Sequence, residues 1–254
     1  EAVEAAEPEP EIEEIPEPEA VPEEIPEPEI EPEVVEVAEP EIEPQPAPMP
    51  VHQAEPVFIS EDELKETAEM YISKEKFIDA IRVLDELLDR NPNHIDAWNY
   101  MGMSLWGINR IGDAISCYNK ALEIDNNNST SWVNKGAALN ALGKKEEAIE
   151  AYDKALSIDE KFEEAWVNKG VILFTLGRLE EAVVSFNKAT DINPQSEAAW
   201  LNKAIIQEKL SRFKDAVESY EHVIKLNPEN KDAQSGLQAC SKELRQDLYR
   251  NWEF

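Results

Sequence analysis

The stretch AWVNKG at residues 165–170 recurs as AWNYMG at 97–102, SWVNKG at 131–136 and AWLNKA at 199–204. Its tryptophans, Trp98, Trp132, Trp166 and Trp200, stand 34 residues apart. A fixed period of this length means stacked, similar repeats, none of which can bury its apolar face alone. Placing each tryptophan at position 4 of a repeat gives five: 61–94, 95–128, 129–162, 163–196 and 197–230.

Other positions repeat in the same register. Position 8 holds Ala68, Gly102, Gly136, Gly170 and Ala204, and position 20 holds Ala80, Ala114, Ala148, Ala182 and Ala216. Position 24 holds Leu84, Tyr118, Tyr152, Phe186 and Tyr220. Small residues let two antiparallel helices approach, and the bulky ones fill the space between a pair and the next. Segments such as EEAIEAYDKALSI carry apolar residues at helical spacing. Between the helices, position 15 is Asn109, Gly143 or Gly177 in the middle repeats, residue types that tolerate the left-handed backbone ending a helix. Position 32 is Pro92, Pro194 or Pro228 in three repeats, a stop for the second helix, and Asn126 or Glu160 in the others. Ser60 and Glu63 form a capping-box pattern that opens the first helix.

These residues resemble the tetratricopeptide repeat family, a 34-residue helix–turn–helix repeat. The middle three repeats match best. The first departs most, with Leu64 in place of Trp and Leu87 in place of a small residue at position 27. The resemblance implies an all-α fold, a right-handed superhelical solenoid of antiparallel helix pairs whose first helices line a concave groove. Residues 231–254 read as a capping helix and tail, with Ala233, Leu237, Cys240, Leu244 and Leu248 as its apolar stripe. In the ending YRNWEF, Tyr249, Trp252 and Phe254 either pack back on the cap or form an exposed docking tag.

Residues 1–57 are unlike the rest. They hold 20 Glu, 14 Pro and no Lys, Arg or Asp. Proline removes backbone donors, glutamates repel one another, and scattered apolar residues cannot offset chain entropy. A disordered, polyproline-II-rich acidic linker is expected, a spacer of at most roughly 180 Å at about 3.1 Å per residue. It carries −20 of the net charge of −31. So acidic a chain argues against nucleic acid as a partner, because phosphates are bound by clustered Lys and Arg. It also argues against anionic membrane surfaces, and no apolar run is long enough for membrane insertion. Cys117 and Cys240 fall on apolar helix faces and read as buried free thiols, which suits a cytoplasmic location.

The resemblance implies that groove-facing side chains come from positions 2, 5, 6, 9, 12 and 13. Position 6 gives Tyr100, Asn134, Asn168 and Asn202. An asparagine amide both donates and accepts, so a ladder of them suits the backbone of an extended peptide; the alternative is that Asn is simply frequent or locally capping here. Val133, Val167 and Leu201 at position 5, with Val171 and Ile205 at position 9, make the middle of the groove apolar. Trp106 and Phe174 at position 12 are candidate anchors, or else pack against the next helix. Lys135, Lys169 and Lys203 at position 7 either rim the groove or form a solvated flank. The Lys/Arg pattern with which some members clamp a terminal carboxylate is missing; Lys65 stands alone beside Glu66 and Glu69.

No catalytic or metal-ligating pattern and no phosphate loop appear, and no cofactor is implied. The expected function is a non-catalytic scaffold that binds a protein or an extended peptide in the groove, with self-association also open. The alternative is the regulatory or assembly arm of a larger enzyme or membrane-associated protein whose working domain lies upstream of residue 1.

Overall fold

The computed structural model describes residues 59–252, with side chains through Gln246. The expectation for the acidic segment 1–57 falls outside these residues, and that for Tyr249, Trp252 and Phe254 falls outside the described side chains. Among the described residues there are eleven α-helices and no strand.

Ten of the helices form five pairs. The first helices of the pairs are α1 (Glu61–Ser73), α3 (Ile95–Gly107), α5 (Ser129–Ala141), α7 (Glu163–Thr175) and α9 (Glu197–Lys209). Their partners are α2 (Phe77–Arg90), α4 (Ile111–Ile124), α6 (Lys145–Ile158), α8 (Leu179–Ile192) and α10 (Phe213–Leu226). Every first helix covers positions 1–13 and every second helix positions 17–30. The last helix, α11 (Lys231–Trp252), has no partner among the described residues.

The turn inside each pair is built the same way. The residue at position 15 has positive φ in all five: Glu75 at 57°, Asn109 at 64°, Gly143 and Gly177 at 76°, and Ser211 at 57°. Two backbone bonds close each turn. In the fourth repeat Gly177 N–H donates to Phe174 O at 3.0 Å and Arg178 N–H to Leu173 O at 2.9 Å, a Schellman-type end that occupies carbonyls the helix cannot. The turn between pairs is equally regular. The position-31 side chain accepts from the backbone two residues on, as Asp159 Oδ1 does from Lys161 N–H at 2.9 Å and Asn193 Oδ1 from Gln195 N–H at 3.1 Å. At the start of the array, the Glu63 N–H donates to Ser60 Oγ at 3.2 Å and the Ser60 N–H to Glu63 Oε2 at 2.8 Å, a complete capping box.

The core follows from the small and bulky positions. The five position-20 alanines are fully buried, as are Leu84, Tyr118 and Phe186 at position 24. A Cβ on Gly136 would stand 2.9 Å from Tyr152 Cε1, and one on Gly170 2.8 Å from Phe186 Cε2, so the aromatic ring occupies the space the glycine leaves. Each position-4 tryptophan donates from Nε1 to the position-32 carbonyl of the preceding repeat, at 2.8 Å to Pro92, 2.9 Å to Asn126, 2.9 Å to Glu160 and 3.0 Å to Pro194. What position 32 must supply is a carbonyl, which any residue has; this is why Asn126 and Glu160 serve where others carry proline. In α11 the tryptophan's place is taken by Gln234, whose Nε2 donates to Pro228 O at 2.6 Å.

Candidate peptide groove

Consecutive first helices touch one another along the row α1, α3, α5, α7, α9 and α11, whereas consecutive second helices do not. Helices that touch lie on the inner side of a curved stack, so the first helices form the concave face and the second helices splay outward. On each first helix the face turned to solvent carries positions 2, 6, 9 and 13, the i, i+4, i+7, i+11 spacing of one helical stripe.

Along this stripe the chemistry changes. At the α1 end Asp62 and Glu66 are exposed. Lys65 pairs with Asp96 at 2.7 Å, which bridges α1 to α3 and holds the lysine above its ordinary pKa. Tyr100, half-buried, donates its hydroxyl to Glu69 Oε1 at 2.6 Å; burial and then that bond push the phenol's pKa up. In the middle, α5 presents Asn134, Ala137 and Ala141. Toward the other end, α7 and α9 present Asn168, Val171, Asn202 and Ile205, with Val171 36% exposed.

The three asparagines are half-buried and differ in their bonding. The Asn134 amide makes no hydrogen bond to any described residue. Asn168 neighbours the Tyr152 hydroxyl, whose pKa burial pushes up. Asn202 Nδ2 donates to Ala198 O at 2.9 Å, one turn back on its own helix. Trp106 and Phe174 lie half-buried with one face on the core, and Lys209 Nζ sits 5.6 Å above the Phe174 ring. Val167, Leu201 and Ile205 are likewise half-buried.

One expected groove residue lies elsewhere. Val133 is 2% exposed and belongs to the core. Position 5 of the second repeat shows how the next first helix roofs this flank: Asn99 is 5% exposed and donates from Nδ2 to Ser131 Oγ on α5 at 2.8 Å. Periodicity alone could not reveal this, because the touching first helices cover a flank that an isolated helix would show to solvent. The position-7 lysines also leave the groove. Lys135, Lys169 and Lys203 lie 5.0, 5.6 and 4.5 Å from the ring centres of Trp132, Trp166 and Trp200 in their own repeats. Burial depresses the pKa of Lys135 and Lys203. Glu69 and Lys209 were not singled out as site residues, though both fall at positions the stripe passes through.

Cys117 and Cys240 are buried, and burial pushes each thiol up to about 11, away from nucleophilic reactivity at neutral pH. Among the described residues no three His, Cys, Asp or Glu side chains gather as a metal site would need, and no helix is long and apolar enough to cross a membrane.

The sequence model of the tetratricopeptide repeat matches residues 95–128, 129–162, 163–196 and 197–230. No curated protein matches the chain. Solved structures do. MamA from Desulfovibrio magneticus RS-1 is 18% identical over 67% of this chain and 97% of its own, with a TM-score of 0.59. PilF from Pseudomonas aeruginosa is 17% identical over 73% of this chain and 90% of its own, with a TM-score of 0.64. YrrB, described as a TPR protein with an unusual peptide-binding site, is 20% identical over 70% of this chain and 92% of its own, with a TM-score of 0.57. At such identities the likeness is one of fold.

Proposed function

The chain belongs to the tetratricopeptide repeat family, and from that premise we propose that it is an interaction scaffold holding an extended peptide segment of a partner protein in the concave groove. The observation that carries this reading is the solvent-facing stripe along the first helices. It sets amides at 34-residue intervals beside apolar side chains, with Val171 and Met103 exposed at 36% and 39%. A stacked amide can pair with any peptide backbone, and the apolar side chains beside it favour burial against a ligand. YrrB, of the same fold, has a peptide-binding site by its own description.

Random-peptide display on the full chain tests the reading. Selected peptides are expected to bind the parent and the Val184→Arg variant alike, since Val184 is an exposed residue of α8 on the outer row. They are expected to lose at least tenfold in affinity to Val171→Arg/Ile205→Arg. Equal binding to all three proteins, or loss only with Val184→Arg, moves the site off the groove.

A further inference from the structure

Each first helix after α1 is covered on one side by the pair before it. Ser131, at position 3 of α5, accepts from Asn99 of the preceding repeat at 2.8 Å. A Cβ on Gly236, at position 6 of α11, would lie 2.2 Å from Tyr220 Cζ. From α3 on, and in α11, position 3 is Ala97, Ser131, Ala165, Ala199 and Ala233, and position 10 is Ser104, Ala138, Ile172, Ile206 and Cys240; all are at most 1% exposed. In α1 the same two positions are Glu63 and Met70, both exposed. With Ile59, Glu66 and Thr67 they line a surface groove that nothing among the described residues covers.

At the other end α11 has no second helix of its own among the described residues. In the inner repeats position 8 faces that second helix, as Gly102 faces the Tyr118 ring. In α11 position 8 is Gln238, and with Ser241, Lys242, Arg245 and Gln246 it lines a second open groove. Lys242 and Arg245 are exposed. The two faces complement each other in charge and in spacing. Glu63, Glu66 and Met70 stand three and four residues apart along α1, and Arg245, Lys242 and Gln238 stand three and four apart along α11 in the reverse direction. Short turns make consecutive helices of the stack antiparallel. Set antiparallel at the common rise per residue, Glu63 meets Arg245, Glu66 meets Lys242, and Met70 lies on the stem of Gln238.

We infer that these faces are the two halves of one interface, by which α11 of one copy of the chain docks on α1 of a second copy. The halves are different surfaces, so the contact is heterologous and builds short open rows of copies rather than a closed dimer. Exposed ion pairs and little apolar area make it weak and reversible. The net charge of −31 does not prevent it. At physiological ionic strength charges more than about 8 Å apart are largely screened, so the pairs in contact decide.

Sedimentation of the full chain from about 5 to 500 µM, the span in which so small an interface associates, tests this. The parent is expected to gain mass with concentration. Two variants reverse one face each: Lys242→Glu/Arg245→Glu on α11, and Glu66→Lys/Met70→Lys on α1, which spares the capping box. All four side chains are exposed. Each variant alone is expected to associate about tenfold more weakly than the parent. Their equimolar mixture is expected to recover association, because the untouched α11 of one meets the untouched α1 of the other. Peroxide oxidation gives a second reading that needs no variant. Met70 is expected to be oxidised about threefold more slowly at the highest concentration than at the lowest, and Met103, in the groove, at an unchanged rate. A parent that stays monomeric, a variant that associates alone as the parent does, or a mixture that stays apart overturns the proposal. So does protection of Met70 at every concentration, which means that another part of the same chain covers the face, and so does protection of Met103 in its place.

Discussion

The inner repeats, from α5 to α8, and the two ends of the array meet the same packing demands with different residues. Inside, a tryptophan reaches the preceding carbonyl, a glycine makes room for an aromatic ring, and a glycine takes positive φ. At the C-terminal end Gln234 makes the tryptophan's hydrogen bond, and Gly236 rather than the position-8 residue yields to Tyr220. At the outer turns Glu75 and Ser211 adopt the left-handed backbone that Gly143 and Gly177 adopt inside. What recurs is thus a contact or a backbone state, and a residue type recurs only where one type alone can supply it. Among the described residues α1 and α11 each end the row of touching first helices, so fewer demands act on their side chains.

The largest effect expected from this contrast is at the glycines under the rings. Gly170→Val puts a branched side chain where a Cβ alone would be 2.8 Å from Phe186, and a loss of about 3 kcal/mol is expected in urea unfolding. Gly236→Val is worse locally, at 2.2 Å from Tyr220, yet it is expected to release α11 rather than unfold the array. Hydrogen exchange should then show protection lost in α11 and kept in α5–α8. A uniform loss would erase the distinction between ends and middle.

Next comes the indole bond. Trp166→Phe removes the hydrogen bond to Glu160 and shrinks the ring face under Lys169, and about 2 kcal/mol of stability is expected to go with the change. Gln234→Ala, removing the corresponding bond at the edge, is expected to cost about 0.5–1 kcal/mol. Costs of equal size would mean that the indole's area, not its N–H, is irrelevant to the inner repeats.

The turns should respond with opposite sign. Gly177→Ala forces a Cβ into positive φ and is expected to cost about 1 kcal/mol, whereas Ser211→Gly and Glu75→Gly relieve the same strain and are expected to raise stability by about 0.5–1 kcal/mol each. Both read out in denaturant midpoints. A loss on Ser211→Gly would mean that its side chain contributes something the geometry does not show.

The smallest expected effect is at the first helix. Ser60→Ala breaks the capping box and is expected to cost about 0.5–1 kcal/mol, visible as faster exchange confined to α1. The bonds from the Ser60 backbone and then its side chain hold the Glu63 carboxyl below its ordinary pKa. A group depressed in the folded state stabilises it above the unfolded pKa and loses that contribution as pH falls through the folded value. Acid titration of stability should therefore flatten slightly in Ser60→Ala, and an unchanged titration would dismiss the Ser60 hydroxyl as a contributor.

Several site features were legible at the level of single residues. The small residues at positions 8 and 20, the positive φ at Gly143 and Gly177, and the capping box all follow from local chemistry. Val133 was misplaced because an apolar residue beside a groove and one beneath a neighbouring helix look alike in one dimension. For the position-7 lysines the sequence left groove rim and solvated flank both open; the stem and the attraction of the charged head for an indole face draw them onto the tryptophans of their own repeats. Position 32 carried no reliable residue signal, since a carbonyl belongs to every residue.

The amino-acid sequence by itself determined the period, the helix pairs and the family, because steric rules for small, aromatic and turn residues act within a few positions and repeat with the chain. Only the tertiary structure decided which flank of each first helix is covered and which side chains meet across a seam, as Asn99 meets Ser131. Those facts depend on how one repeat is rotated against the next. That rotation is set by the summed packing of many side chains across the seam, a property no single repeat contains.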